Sequence, residues 1–364
     1  DVYKRQVFED RTRSTAREAP AGVLDIVAGL SEDAFVARLE KLVSYPTRLS
    51  SSTHYAEAAD WCETELSVMG YSTRQEVVSL PGRGQSSNVI ASRSGSAGSD
   101  RENLIVVAHL DSVNHPGGNL APAPGADDNA SGSAGLLVLA EALATHKFAQ
   151  DLTFLLVGGE EQGLHGSTQY LRSLSDEERG RILGVLNMDM IGSVNTTPQA
   201  VLLEGADLSQ DQIDALASAA SEFTSLEVQT SLNPFASDHV PFINAGIPAV
   251  LTIEGADSAN DAIHTAEDTI NRVTPAYALE ILRMNAAYLA TGAGLERSKE
   301  DCGCGCDGEP DAMADLKREI DLHYHAIMAQ YVRLGREGTL DQSDLADWYR
   351  LTAGHDMLKA HEDH

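Results

Sequence analysis

The strongest constraint on the fold is a succession of short, nearly continuous apolar runs separated by segments of helical periodicity. The runs are ENLIVVAHLDS (102–112), DLTFLLVGGEE (151–161), GVLNMDMIG (184–192), AVLLEGA (200–206) and IPAVLTIEG (247–255), with SSNVIASRSG (86–95) as a further strand. A strand that is apolar on both faces has to be covered on both faces. Helical stretches at 31–45, 53–69, 130–147, 162–174, 207–223 and 274–291 supply the cover, with Ser31 as an N-cap and Gly70 as a stop. Strands alternating with helices predict an α/β layer fold around a buried, mostly parallel sheet.

One globular unit is expected from Ala21 to about Gly294. Residues 1–20 form a polar tail with no apolar h-region, so no signal peptide is visible there. The stretch ERSKEDCGCGCDGEPDA (296–312) places a Cys/Gly linker over 295–311, and helical periods at 312–333 and 341–361 predict a helical C-terminal extension over 312–364. Cys302, Cys304 and Cys306 are more closely spaced than the thiols of a structural zinc site, and three thiols fall short of four ligands. A mobile linker is the simpler expectation, and Cys62, in a helical pattern, is expected in the core. The 55 acidic residues against 26 basic ones, a net charge of −29, argue against nucleic acid as a partner. No uncharged apolar run approaches the roughly 20 residues of a membrane span.

Chemistry gathers at the carboxyl ends of the strands, where open α/β sheets hold ligands. The run LIVVA delivers His109 and Asp111 as H-L-D, a zinc-ligand type with a carboxylate beside it. PGADDNASGSAG (124–135) sets Asp127 and Asp128 side by side at a helix start; they are an N-cap, or a pair whose repulsion a dication would relieve. GGEEQGLHGS (158–167) puts Glu160 and Glu161 at the mouth of a buried strand, where desolvated carboxylates need a partner. Asp189 ends the apolar strand NMDMIG, and His264 lies in the polar loop AIHTAEDT. Each has a structural reading of its own: a turn Asp, a satisfied His, an acidic helix start. Asp238 and His239, in S-D-H-V-P-F (237–242), receive no role. Two histidines with several carboxylates and no cysteine suit a hydrolytic zinc pair.

In this order and spacing the motifs resemble the co-catalytic di-zinc aminopeptidases of the bacterial leucyl aminopeptidase type, over roughly residues 45–292. The resemblance implies a three-layer α/β/α zinc-exopeptidase fold and two Zn2+ ions. It implies His109 with Asp189 on one ion, Glu161 with His264 on the other, and Asp127 bridging them, followed by a cis peptide to Asp128. It implies Glu160 as general acid/base and Asp111 as the acid orienting the His109 ring. The implied substrates are peptides with a free N-terminus, and the implied compartment is secreted or periplasmic. Some members of the family steady the oxyanion with a tyrosine where this chain has Pro234 or Ile263. A dipeptidase or carboxypeptidase, a glutaminyl cyclase-like enzyme and a receptor-like binding module are the alternatives on the same scaffold. Oligomeric state and the preferred N-terminal residue are left open.

Overall fold

The structure, a computed structural model, describes residues 9–11, 21–119 and 121–296. The polar tail, apart from residues 9–11, and nearly all of the Cys/Gly linker lie outside the described residues, as does the whole C-terminal extension. The strands are β1 (Glu9–Arg11), β2 (Ser72–Leu80), β3 (Gly84–Arg93), β4 (Asn103–His109), β5 (Asp151–Val157), β6 (Ile182–Met188), β7 (Ala200–Glu204), β8 (Glu227–Ser231) and β9 (Ala249–Glu254). The helices are α1 (Ala21–Ala28), α2 (Glu32–Val43), α3 (Thr53–Val68), α4 (Gly132–Ala144), α5 (His165–Ser173), α6 (Asp176–Gly180), α7 (Gln210–Phe223), α8 (His239–Asn244) and α9 (Pro275–Gly292).

The nine strands of the described residues join one sheet in the order β1-β8-β7-β9-β6-β4-β5-β3-β2. The centre, β9-β6-β4-β5, is parallel throughout. The β7–β8 pair is parallel too, while β7 meets β9, and β3 meets both β5 and β2, antiparallel. Among the eight strands after β1 the sheet is thus mixed and mostly parallel.

The continuous apolar runs become strands buried on both faces. Along β4, Leu104, Val106 and Ala108 pack into the larger cluster with helices α1–α4, α7 and α9. Ile105 and Val107 face the other way, toward Tyr170 and Leu171 of α5 and Phe242 of α8. This alternation of side chains along one strand is what gives the three layers. Ser31 caps α2 by accepting from the Ala34 N–H, and Cys62 is fully buried. Strands β1, β2 and β8 and helices α1, α6 and α8 lie outside the sequence expectation. β2 (STRQEVVSL) is largely exposed at the sheet edge, so it lacks the apolar run that marked the central strands. Among the described residues no helix is long and apolar enough to cross a membrane.

The parallel strands all end at one edge. His109 closes β4, Gly158-Gly159-Glu160-Glu161 follows β5, Asp189 follows β6, and Glu254 closes β9. The fold thereby brings side chains 145 residues apart in sequence to one place.

Candidate metal centre

Two histidines face a shared carboxylate. His109 Nε2 lies 3.2 Å from Asp128 Oδ1 and 3.2 Å from Asp189 Oδ1. His264 Nε2 lies 3.0 Å from Asp128 Oδ2 and 3.0 Å from Glu161 Oε2. His109, Asp128 and Asp189 are buried, whereas 35 % of the His264 side chain is exposed, so the centre opens to solvent on the His264 side. Of the residues expected at the centre from sequence, the structure gathers His109, Glu161, Asp189 and His264.

Asp127 does not join them, which corrects the expectation that it lies between the histidines. Its Oδ1 accepts from the Gly192 N–H at 2.8 Å and its Oδ2 from Asn260 Nδ2 at 2.9 Å, so both oxygens are turned toward loops behind the centre. Asp128 takes the shared position instead, and the cis peptide likewise falls one residue later, between Asp128 and Asn129. The local reason is the irregular turn Ala126–Ser131. Asp128 and Asn129 leave helical φ/ψ there, so the two adjacent carboxylates project in different directions. Burial and the neighbouring Asp127 carboxylate push the Glu254 carboxyl up to about 11, so Glu254 keeps its proton against Asp127.

Around this turn the backbone is gripped from far away in sequence. Asp268 accepts from the Asp127 N–H at 2.9 Å and the Asp128 N–H at 3.0 Å. Burial lifts the Asp268 carboxyl to about 7 against those two donors. Sequence reasoning missed Asp268; its signal was an acid four residues after His264 in a loop that otherwise reads as solvated.

Arg48 was missed as well. Its guanidinium is fully buried and donates to four main-chain carbonyls: Leu110 at 2.8 Å, Leu42 at 3.2 Å, Pro124 at 2.6 Å and Gly125 at 2.8 Å. It thus ties the segment just after His109 to the segment just before Asp128. Burial lowers its pKa, while the nearby carboxylates of Asp268 and Asp111 oppose that shift. Arg48→Met matches the side chain's length and removes every donor. Loss of the buried cation and its bonds is expected to cost about 3–5 kcal/mol in chemical denaturation, as for other broken buried polar pairs. A cost under about 1 kcal/mol would mean that these carbonyls find other donors.

The G-G-E-E turn is shaped by Gly159, which takes φ +78° and comes so close to Leu80 that a Cβ would overlap it. Asp111 holds the next two residues, its carboxylate accepting from the Glu160 N–H at 3.3 Å and the Glu161 N–H at 3.2 Å. The same carboxylate stands 3.7 Å from His109 Nδ1, and the nearer partner of that nitrogen is the Asp111 main-chain carbonyl at 3.1 Å. Asp111 therefore positions the glutamates at least as directly as it positions the imidazole. Asp189 is fixed in turn by Ser237, whose Oγ donates to Asp189 Oδ2 at 2.7 Å. Asp238 and His239 stay outside both histidine groups. Asp238 accepts from Ser167 Oγ at 2.5 Å, and His239 Nε2 lies 3.4 Å from Glu204.

Proton affinities follow from this crowding. Burial pulls the His109 pKa down, but Asp189 and Glu160 more than reverse it and raise it well above the usual range. Hydrogen bonds to Asp128 and Glu161 lift His264 to about 11. Burial, then the neighbouring Asp128, lifts Glu161 to about 8. Burial resists ionisation of Asp128, yet its bonds to both histidines hold it well below the usual carboxylate range. Burial also pushes Glu160 well up. Glu161 Oε1 is buried without a hydrogen-bond partner. Converging imidazole nitrogens and carboxylate oxygens with one buried oxygen unsatisfied fit a dication of the zinc type. A third histidine, His115, was not anticipated from sequence. It is exposed, its ring nitrogen lies within 4.8 Å of the ligand atoms of Glu161 and His264, and burial beside His264 lowers its pKa.

The comparisons with known proteins agree with this chemistry. Residues 88–289 match the profile described as Peptidase family M28. The chain is 31% identical over 280 residues to leucine aminopeptidase 1 of Fusarium vanettenii, covering 72% of this chain and 70% of that protein. An aminopeptidase from Aneurinibacillus sp. strain AM-1 shares the fold with a TM-score of 0.65 at 19% identity, over 76% of this chain and 97% of that one. The zinc aminopeptidase BSAP of Bacillus subtilis superposes with a TM-score of 0.53 at 26% identity, over 60% of this chain and 52% of that one.

Proposed function

The chain belongs to peptidase family M28, and on that footing we propose that it is a zinc-dependent aminopeptidase with a two-ion centre organised by Asp128. The observation that carries the two-ion reading is that Asp128 presents one oxygen to each of two histidines, each with a further carboxylate beside it. His109, Asp128 and Asp189 would hold one zinc, and Asp128, Glu161 and His264 the other. Zinc supplies Lewis-acid polarisation of the scissile carbonyl and a water acidic enough to react near neutral pH.

The remaining work falls to the protein. Glu160 is placed by Asp111 through its own N–H, next to the histidine groups but in hydrogen-bond contact with neither. Its raised proton affinity suits a group that accepts a proton from the attacking water and returns it to the departing amine. The substrates are peptides, cleaved at the bond after a free N-terminal residue.

Metal analysis and turnover of aminoacyl-p-nitroanilides test the reading together. Two zincs per chain are expected, with turnover lost on chelation and restored by zinc or cobalt. One zinc per chain would refute the shared-carboxylate arrangement, and full turnover in verified metal-free protein would refute the zinc mechanism.

A pH dependence follows from His264. In the metal-free fold its proton is retained up to about pH 11, above the ordinary imidazole range, because Asp128 and Glu161 hold it. Zinc must displace that proton. Zinc affinity is therefore expected to rise with pH across the neutral range, with protons released on binding. Calorimetry in buffers of different ionisation enthalpy measures the release, and an unchanged heat across buffers would contradict it.

A further inference from the structure

We infer that His115 is a catalytic residue that donates an N–H to the oxygen of the scissile carbonyl as it becomes an oxyanion, an inference that rests on the aminopeptidase reading above. The centre opens on the His264 side, and His115 stands at that opening. Its own N–H donates to the His264 carbonyl at 2.9 Å, which fixes the backbone of one residue against the other. The two rings meet edge to face with centroids 4.7 Å apart.

Direct contacts, rather than distance, separate His115 from the residues that would hold zinc. His264 lies 3.0 Å from Asp128 and 3.0 Å from Glu161. The His115 ring nitrogen lies within 4.8 Å of the ligand atoms of Glu161 and His264, yet among the described residues its ring forms no hydrogen bond or ion pair with either. The ring stands beside the Glu161–His264 pair on the side where the centre meets solvent. It is also exposed, so a peptide entering from solvent meets it on the way in.

The step balances without any further reagent. The water oxygen bonds to the carbonyl carbon as Glu160 takes its proton, and the carbonyl π pair moves onto oxygen. That oxygen accepts the hydrogen bond from His115. When the pair returns, the C–N bond breaks and the amine leaves with the proton from Glu160. A donor aimed at the developing charge stabilises it more than it does the neutral carbonyl, so the benefit falls on kcat.

The test compares wild type, His115→Ala and His115→Gln for zinc content, kcat and KM. It also compares their affinity for a peptide phosphonate, whose tetrahedral oxyanion resembles the charged intermediate, and for the free product amino acid. His115→Ala is expected to keep the wild-type zinc content, to change KM by less than about threefold and to lower kcat by roughly 10²–10³-fold, the range for loss of one such donor. Phosphonate affinity should fall in proportion while amino-acid affinity holds, and His115→Gln, which keeps an N–H, should recover part of both losses. Unchanged kcat and phosphonate affinity in His115→Ala overturn the inference. Loss of zinc from that variant overturns it too, because the ring would then be a ligand. Phosphonate and amino-acid affinities falling together make His115 a general binding contact and likewise overturn it. If wild type itself holds no zinc and cleaves no aminoacyl substrate, it is the aminopeptidase reading that has failed.

Discussion

Glu160→Gln is expected to keep wild-type zinc content and lose kcat by roughly 10²–10⁴-fold, whereas its neighbour Glu161→Gln loses zinc. The two side chains follow consecutive N–H groups clamped by the same Asp111 carboxylate, yet they meet different partners. Glu161 Oε2 sits 3.0 Å from His264, and its other oxygen is buried without a donor. Glutamine there replaces an anionic donor with a neutral amide, so one ion should bind more weakly and excess zinc should restore part of the activity. Glu160 makes no such contact, and glutamine preserves its shape while abolishing its capacity to carry a proton. Metal content, melting temperature and kcat for both variants in one buffer decide the matter. If Glu160→Gln loses zinc and Glu161→Gln retains it, the roles are reversed. If both keep full metal and near-normal kcat, the turn is only a solvated helix start.

The second large effect separates Asp127 from Asp128. Asp128→Asn withdraws the charge shared by His109 and His264, and zinc affinity is expected to fall by more than the roughly 10–100-fold typical when only a residue behind the ligands is changed. Both ions should be affected at once, because one carboxylate serves both histidines. Asp127→Asn should leave the zinc content in place and lower stability instead. Its oxygens accept from the Gly192 N–H and Asn260, and an amide in that place would set a donor against the Asn260 donor. A mismatch of this kind in a buried network costs about 1–3 kcal/mol. Competition with a chromophoric chelator reports the metal affinities, and urea denaturation of the metal-free forms reports the stabilities. Equal zinc loss from the two variants would show that the turn, rather than a particular carboxylate, holds the metal.

The line between these neighbouring aspartates also divides what could be learned from the chain alone from what could not. The apolar runs determined the central strands, because a strand with no polar face can lie only in the middle of a covered sheet, and β4, β5, β6 and β9 do so. The same runs located the chemistry, since His109, Glu160, Glu161 and Asp189 interrupt apolar sequence at strand ends, where an unpaired charge is costly and therefore informative. Periodicity is silent in irregular backbone. Within the turn Ala126–Ser131 no repeat says which carboxylate faces the histidines; the dihedral angles of Asp128 and Asn129 decide it. Strands β2, at the sheet edge, and β8, beside the short β1, were invisible for a related reason, as their sequences are polar and carry no sustained apolar signal. Arg48, His115 and Asp268 act through contacts with segments up to 149 residues away, in loops whose own sequence looks polar and ordinary. Local sequence determined the strands and the chemical types of the residues at their ends. Only the closed tertiary structure decided which of those side chains meet, because partnership depends on long-range packing and on the direction a turn gives each side chain.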